Sequence, residues 1–405
     1  MRLEKLFVAL LSVITVLLGN RAVVGKEETS PPSIVVDARV LDDADQVPTQ
    51  VADEFEPSYL IPQEHELYPL VHRSRWNVAA DAIVWTRFGS PNIPLLRDYS
   101  AILRNGATPP TPALADQPAV MLDYTGKLKP STGPDLLNSR DFEFDYELGP
   151  RLSLTCSTDH GFDVELAGFG INHWSTAMSR VSNLDSKDPN SGLQFDAPGF
   201  AAAGFKSPMR FDWESRLYSV EANVRWFDRP WLQWLIGFRY LDFEENLQGA
   251  FSEAAPGVIL PNTLVPNLAP SVFWSSNTTN HLYGGQVGTD MCFWNRGGPM
   301  AITGMLKAGL YYNSAEQTSV LPGLGKSVTA LGDEVSLVAE TGLQSTWRIT
   351  DWMFLRLGYQ LLVLQGVAMA PSQIPVSNVV QGVSEIRAKD MLLLHGMTAG
   401  LEVRF

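Results

Sequence analysis

The residues best suited to chemistry are His173 and Ser175, two apart in the stretch "NHWST". On a β-strand that spacing puts both side chains on one face, where an imidazole could take the proton of a hydroxyl nucleophile. Phe162, Val164 and Leu166 alternate with Asp163 and Glu165 just upstream, and carrying that phase forward turns His173 and Ser175 to the polar side. No third group completes a relay, so the pair is expected to carry no catalysis and the chain is read as a non-enzyme.

The remaining metal and redox candidates are dispersed. His160 falls in a short turn, His281 opens a strand and His395 lies on the apolar phase of the last strand, none with a partner at metal-ligand spacing. Cys156 and Cys292 permit one disulfide, but their spacing does not choose between a bridge and two thiols. "YGGQVG" opens a strand rather than a helix, so it lacks the setting of a phosphate loop. Gly284 and Gly288 share the polar phase and are expected to make room for bulky neighbours or to allow strong strand curvature. No cofactor and no metal are expected.

What recurs is charge at a period of two. Asp81, Glu143, Asp145, Glu147, Asp163, Glu165, Glu221, Asp290, Glu340 and Glu402 fall on the polar phase of their segments, together with Arg87, Arg225, Arg239, Lys307, Arg356 and Arg404. If these faces point into a closed barrel they line its lumen, and the excess of acids would favour cations in a conducting channel. In a narrow barrel the opposite charges would instead pair across the interior.

The elements that must position these charges are strands. "WNVAADAIVWTRF", "FEFDYEL" and "YSVEANVRW" each alternate apolar and polar residues, which is the half-buried strand pattern rather than the helical one. Ten such segments are predicted, at about 76–88, 142–155, 161–174, 216–227, 231–244, 280–294, 300–313, 334–349, 351–364 and 391–405. Their length suits a tilted strand crossing a bilayer. The connections alternate strictly between long (89–141, 175–215, 245–279, 314–333, 365–390) and short, as in an up-and-down barrel with long external loops and short periplasmic turns. A missed pair within 89–141 or 245–279 would raise the count to twelve. Trp76, Trp226, Trp231, Trp294, Trp347 and Trp352 all fall at the short-turn rim, where an interfacial aromatic belt belongs. The last strand ends on Phe405 and must pair with the first; a terminal Phe after alternating apolar residues also resembles the signal by which outer-membrane barrels are recognised for assembly.

Ahead of the barrel, Arg2 and Lys5 precede the apolar run Leu6 to Leu18, and "RAVVG" offers small residues for cleavage near Gly25. Residues 1–25 therefore read as a secretory signal peptide. Residues 26–75 read as a disordered acidic periplasmic arm, since 26–66 holds eleven acidic and two basic side chains and almost no aromatics. Residues 26–66 carry nine of the fourteen formal net negative charges, a sign that disfavours a nucleic-acid partner.

"ADAIVWTR", "WLIGFRYLDFEENL" and "NHLYGGQVG" resemble the planctomycete beta barrel porin-7 family of outer-membrane proteins, over about 76–405. The resemblance implies an outer-membrane barrel with pore activity and carries no catalytic residue. The His-x-Ser pair, for its part, is similar to the arrangement in outer-membrane phospholipases and lipid A deacylases, though it rests on two residues only.

The reading is thus an all-β chain: a transmembrane antiparallel up-and-down barrel of about ten strands over 76–405, located in the outer membrane. Its expected partners are outer-membrane lipid, the barrel-assembly machinery and small hydrophilic solutes passing by diffusion. Two alternatives stand beside the pore. One is a closed barrel, plugged by side chains or by an inturned loop, that acts through its long external loops. The other is a secreted soluble sandwich whose apolar faces meet inside.

Overall fold

The computed structural model describes residues 75–98, 135–181, 193–198, 208–229, 231–251, 258–260, 263–265 and 272–405. The leader and all of the arm but Arg75 lie outside the described residues. Ten strands close into one antiparallel barrel: β1 (Trp76–Phe88), β2 (Glu147–Ser157), β3 (Phe162–Arg180), β4 (Met209–Arg229), β5 (Leu232–Phe251), β6 (Val272–Asn295), β7 (Met300–Leu321), β8 (Lys326–Arg348), β9 (Met353–Val367) and β10 (Asp390–Arg404). Each pairs with its neighbours in sequence, and β10 closes on β1 from Asn77 opposite Arg404 to Phe88 opposite Leu393. Two further backbone bonds, Trp76 N–H to the Phe405 carbonyl at 2.9 Å and Phe405 N–H to the Trp76 carbonyl at 3.0 Å, zip the seam to its end.

Several strands run well past their expected limits at the long-loop end. β6 begins at Val272 rather than 280, and the expected long loop 314–333 is a hairpin in which β7 runs to Leu321 and β8 starts at Lys326, around a turn at Pro322–Leu324. The alternation fails in β6 and β7 because the inner face is built of Ser276, Thr278, Asn280, Gln317 and Ser319, so both faces of those two extensions are largely polar, while in β8 Gly332, Asp333 and Glu334 interrupt the pattern between Leu331 and Val335. β2, conversely, starts late. Phe142 and Phe144 leave the ladder to pack edge-on against Trp213, at ring separations of 5.7 and 5.2 Å. Neither 89–141 nor 245–279 adds a barrel strand among the described residues, so the barrel has ten.

The pleat sorts the side chains. Val78, Leu152, Leu166, Val220, Ile236, Val287, Leu306, Leu343, Leu357 and Leu401 are exposed on the outer face. Trp76, Trp226, Trp234, Trp294, Trp347 and Trp352 are exposed near the short turns, while Tyr146, Tyr218, Tyr312 and Tyr359 are exposed nearer the long-loop end. Inside, the half toward the short turns is charged and the other half is an apolar core that includes Trp85, Phe169, Ile171, Trp174, Leu241, Phe243, Leu282, Leu362 and Leu394.

Two loop structures complete that core. The segments Pro94–Asp98, Asp135–Asn138 and Leu193–Phe195 form a small three-stranded sheet, in which Arg97 pairs with Asp135 and with Asp196, each at 3.2 Å. Burial pushes the Asp196 carboxyl above the usual range, partly offset by Arg97. Between β9 and β10 the chain turns inward at Gly366, whose φ of 87° is the left-handed conformation glycine tolerates, and Ala368 through Ile374 are then buried throughout.

Candidate functional site

The lumen is the place where the fold brings charge together. At the short-turn end Arg404 pairs with Glu402 at 2.6 Å, and Arg356 lies 3.6 Å from Asp81 and 3.7 Å from Glu402. Asn77 Nδ2 donates to Glu402 at 2.9 Å, and Arg356 also donates to Gln344 at 2.8 Å. Nearby, Arg225 bridges Glu165 at 2.5 Å and Asp290 at 3.1 Å, while Gln233 donates to Asp163 at 3.2 Å.

The next tier spans the barrel. Lys307 Nζ on β7 reaches Glu221 on β4 at 2.6 Å, and Arg239 on β5 reaches Glu340 on β8 at 2.6 Å. Gln286 Nε2 donates to both Glu221 and Asn223 at 2.7 Å, Asn223 donates to Glu165 at 3.0 Å, and Tyr311 donates to Gln286 at 3.2 Å. Arg151 donates to Gln360 at 2.6 Å and stands 3.8 Å from Glu340. The gap bounded by Arg151, Ser219, Glu221, Arg239 and Glu340 is too narrow to admit a water molecule. Glycine makes this density possible. A Cβ on Gly284 would come within 2.6 Å of the Tyr311 ring, and one on Gly288 within 3.0 Å of Lys307 Cγ, which fulfils the expected role of both.

Above this ladder stands one more pair. Arg87 meets Glu245 at 2.5 Å and donates to Ser215 at 2.6 Å, its guanidinium 4.3 Å from the Phe144 ring and 4.9 Å from that of Trp213. Glu245 also accepts the Ala370 N–H at 2.8 Å, and so ties the inturned segment to the wall. Asn280 grips Ala368 twice, accepting its N–H at 2.7 Å and donating to its carbonyl at 2.9 Å. Asn313 and Ser336 both donate to the Gly366 carbonyl, at 3.1 and 2.7 Å, and Asp390 accepts from Met369 N–H at 3.2 Å and Ser372 Oγ at 2.9 Å. Ala368–Ile374 is a plug, held through its backbone by wall side chains and packed into the apolar core.

Most of the expected lumen residues are therefore inside, but three expectations need correction. Glu143 and Asp145 are exposed in the segment ahead of β2, and Glu147 sits half-buried at the rim, because Phe142 and Phe144 and not their acidic neighbours turn inward. The predicted acid excess accordingly shrinks to one in the lumen, whose carboxylates are engaged by guanidinium, ammonium and amide groups. His173 and Ser175 face outward, since a β-bulge between Ile171 and Trp174 reverses the phase and buries Trp174 in their place. No hydrogen bond joins them among the described residues. Cys156 and Cys292 are free thiols.

The sequence reading passed over Arg151, although it continues the phase of Glu147 beyond Pro150. It also missed Glu245, which lies one residue past the expected end of its strand, and the neutral residues Asn280, Gln286 and Gln360 that knit the charges together.

No family model and no curated protein matches the chain. Among solved structures it is similar to the outer membrane protease OmpT from Escherichia coli, at 8% identity and a TM-score of 0.44 over 82% of this chain and 96% of that one. It is also similar to the translocator domain of the autotransporter NalP from Neisseria meningitidis (10% identity, TM-score 0.35, 82% and 90% covered) and to the toluene transporter TodX from Pseudomonas putida (8%, 0.27, 82% and 90%). All three scores lie below 0.5, and the barrel rests on its own strand pairing rather than on these likenesses.

Proposed function

We propose that this chain is an outer-membrane β-barrel that spans the bilayer in a closed state and works through the surface its long-loop end presents outside the cell. The exposed outer face supports the membrane. On β8 the outward residues from Trp347 to Leu337 are apolar or small apart from Thr341 and Ser345, and Thr341 turns its hydroxyl to the Met305 carbonyl at 3.1 Å. Ten residues at about 3.3 Å each, tilted about 40°, make a band roughly 25 Å tall, the height of an outer-membrane barrel's apolar belt. Tryptophans at one border and tyrosines at the other fit two interfaces. A soluble sandwich would not leave such a face to water.

The observation that carries the closed state is the plug, seated above a densely paired ladder. Removing either obstruction alone leaves the other. The resemblance to the porin-7 family is compatible with the architecture, but diffusion of solutes would need both to move. In this reading residues 1–25 export the chain, the acidic arm stays in the periplasm and Phe405 is offered to the assembly machinery. Osmotic swelling of liposomes carrying the refolded protein tests closure. No swelling in small sugars or amino acids is expected, and swelling at rates of a general porin would overturn it.

A further inference from the structure

His281, expected to open a strand, lies well inside β6, because that strand begins at Val272. The extension gives it a chemically distinct neighbour on each side. Asp242 of β5 stands directly opposite His281 in one ladder, and Ser314 of β7 stands directly opposite it in the other. Leu241, Phe243, Asn280, Leu282, Asn313 and Ala315 alternate with these three and are buried inside. Asp242, His281 and Ser314 therefore form one row, half-buried, on the outer face.

The row orients the imidazole. His281 Nδ1 stands 3.4 Å from Asp242 Oδ1 and 3.0 Å from the Tyr240 hydroxyl. Asp242 Oδ1 is shielded from solvent without a hydrogen-bond partner among the described residues, and a carboxylate only accepts. A small turn of the ring brings the Nδ1 proton to it. Glu244, the next acid on this face of β5, is already engaged by Arg216. With Nδ1 protonated toward Asp242, Nε2 keeps its lone pair. The Ser314 hydroxyl makes no hydrogen bond among the described residues. Directly opposed residues of an antiparallel pair have Cβ atoms about 4.5–5.5 Å apart, which sets this hydroxyl beside the ring, where catalytic hydrogen bonds tighten on substrate binding.

Height on the barrel selects the substrate. Tyr218 is next along the row, opposite Asp242, while Tyr240, Tyr283 and Tyr312 face one another one pleat below, about 5 Å nearer the hydrocarbon. Further down, Val287 and Leu310 are exposed. The three groups thus lie at the tyrosine border, level with the boundary where the ester carbonyls of membrane lipids sit.

We propose that Asp242, His281 and Ser314 are a hydrolytic triad on the outside of the barrel, acting on a carboxylic ester of an outer-leaflet lipid. Ser314 Oγ attacks the ester carbonyl while His281 Nε2 takes the hydroxyl proton, and Asp242 positions the ring. The tetrahedral intermediate then breaks its bond to the alcohol oxygen, His281 returns the proton to that oxygen, and the acyl group stays on Ser314. Water, deprotonated by the same nitrogen, releases the fatty acid and restores the hydroxyl. The lipid substrate rests on the membrane-spanning reading, whereas the triad itself does not.

The test uses the full chain in detergent micelles. Its probes are a fluorophosphonate that labels activated serines, a water-soluble p-nitrophenyl ester of a short fatty acid, and a diacyl phospholipid in mixed micelles. Mass spectrometry should place the phosphonate on Ser314, and both esters should be cleaved. Ser314→Ala and His281→Asn should abolish labelling and turnover. Asp242→Asn should lower kcat more than about tenfold with KM unchanged, the mark of a positioning residue. Each variant should keep the heat-modifiable mobility of the folded barrel. A folded wild-type barrel that neither labels nor cleaves would overturn the triad, as would labelling of a different serine or undiminished hydrolysis by Ser314→Ala. Cleavage of the water-soluble ester alone would overturn the lipid substrate and uphold the triad. Protein that folds without detergent would sink the membrane reading and the lipid substrate with it, a result distinct from failure to label.

Discussion

Arg239 and Glu340 meet at 2.6 Å although their strands are not neighbours, for β6 and β7 stand between them in the wall. Such a contact exists only if the lumen is narrow enough for side chains to span it. Each group is almost fully buried, so its charge is tolerable only while the partner is present. Glu340→Ala should therefore destabilise the barrel by about 3–5 kcal/mol in urea unfolding from micelles, whereas Arg239→Leu with Glu340→Leu should cost far less. Additive losses in the double variant would show that the two charges do not depend on one another.

Glycine positions offer a sharper steric contrast. A Cβ at Gly284 would lie 2.3 Å from the Leu310 carbonyl oxygen, while one at Gly285, on the outer face, would meet only the Gly237 carbonyl at 3.9 Å. Gly284→Ala is expected to cost about 1–3 kcal/mol and Gly285→Ala almost nothing, as read from the fraction of heat-modifiable protein after refolding. Equal outcomes would mean that the lumen is looser than described.

Asn280 is the residue on which the plug's backbone most depends. Asn280→Ala removes both bonds to Ala368 and the acceptor for Asn313 Nδ2. Buried amides left without partners cost about 1–3 kcal/mol each. Amide exchange across Val367–Ile374 should accelerate at least tenfold, with β1 and β10 unaffected. Unchanged exchange would place the hold on the plug in apolar packing alone.

The small three-stranded sheet around Arg97 should respond to pH in a defined sense. Burial raises the Asp196 carboxyl above its unfolded value, so the folded sheet binds its proton more tightly than the unfolded chain does. Its contribution is then largest below the ordinary aspartate range and falls as pH rises through the raised value. Protection factors for Leu193–Phe195, corrected for intrinsic rates, should decline over that window and become flat in Asp196→Asn. A rise with pH would reverse the assignment and make Arg97 the dominant influence.

The outer belt gives the membrane reading its own test. Leu343 is exposed on the outer face, about five residues above the short-turn end of β8. Leu343→Arg should cost about 2–4 kcal/mol in a bilayer if that face meets hydrocarbon near the midplane. On a water-exposed face the same change would be neutral or would improve solubility.

How much of this was legible depended on what lay on the second face. In the lower barrel the outer residues are apolar, so Glu165, Arg225, Glu221, Lys307 and Glu340 stood out against them and their inward phase could be read directly. Higher up, both faces of the β6 and β7 extensions are largely polar and Gly332, Asp333 and Glu334 interrupt β8, so all three extensions vanished from the pattern. Glu244 and Glu245 break the alternation where a strand continues, which hid the partner of Arg87. The bulge before Trp174 reverses His173 and Ser175 without any mark in the sequence. The plug left one clue: "VAMAPSQIP" is small and apolar, an unusual composition for a loop meant for water. Pairing across the barrel, such as Arg239 with Glu340, follows from closure and shear and could not be read from any strand alone.

The most direct measurement of the closed state is single-channel recording of the refolded protein in a planar bilayer, in symmetrical salt and at moderate voltage. The plug and the paired ladder predict silence from wild-type protein whose folding is confirmed by its heat-modifiable mobility. Stable, reproducible steps from that same preparation would contradict it and return the chain to the porins.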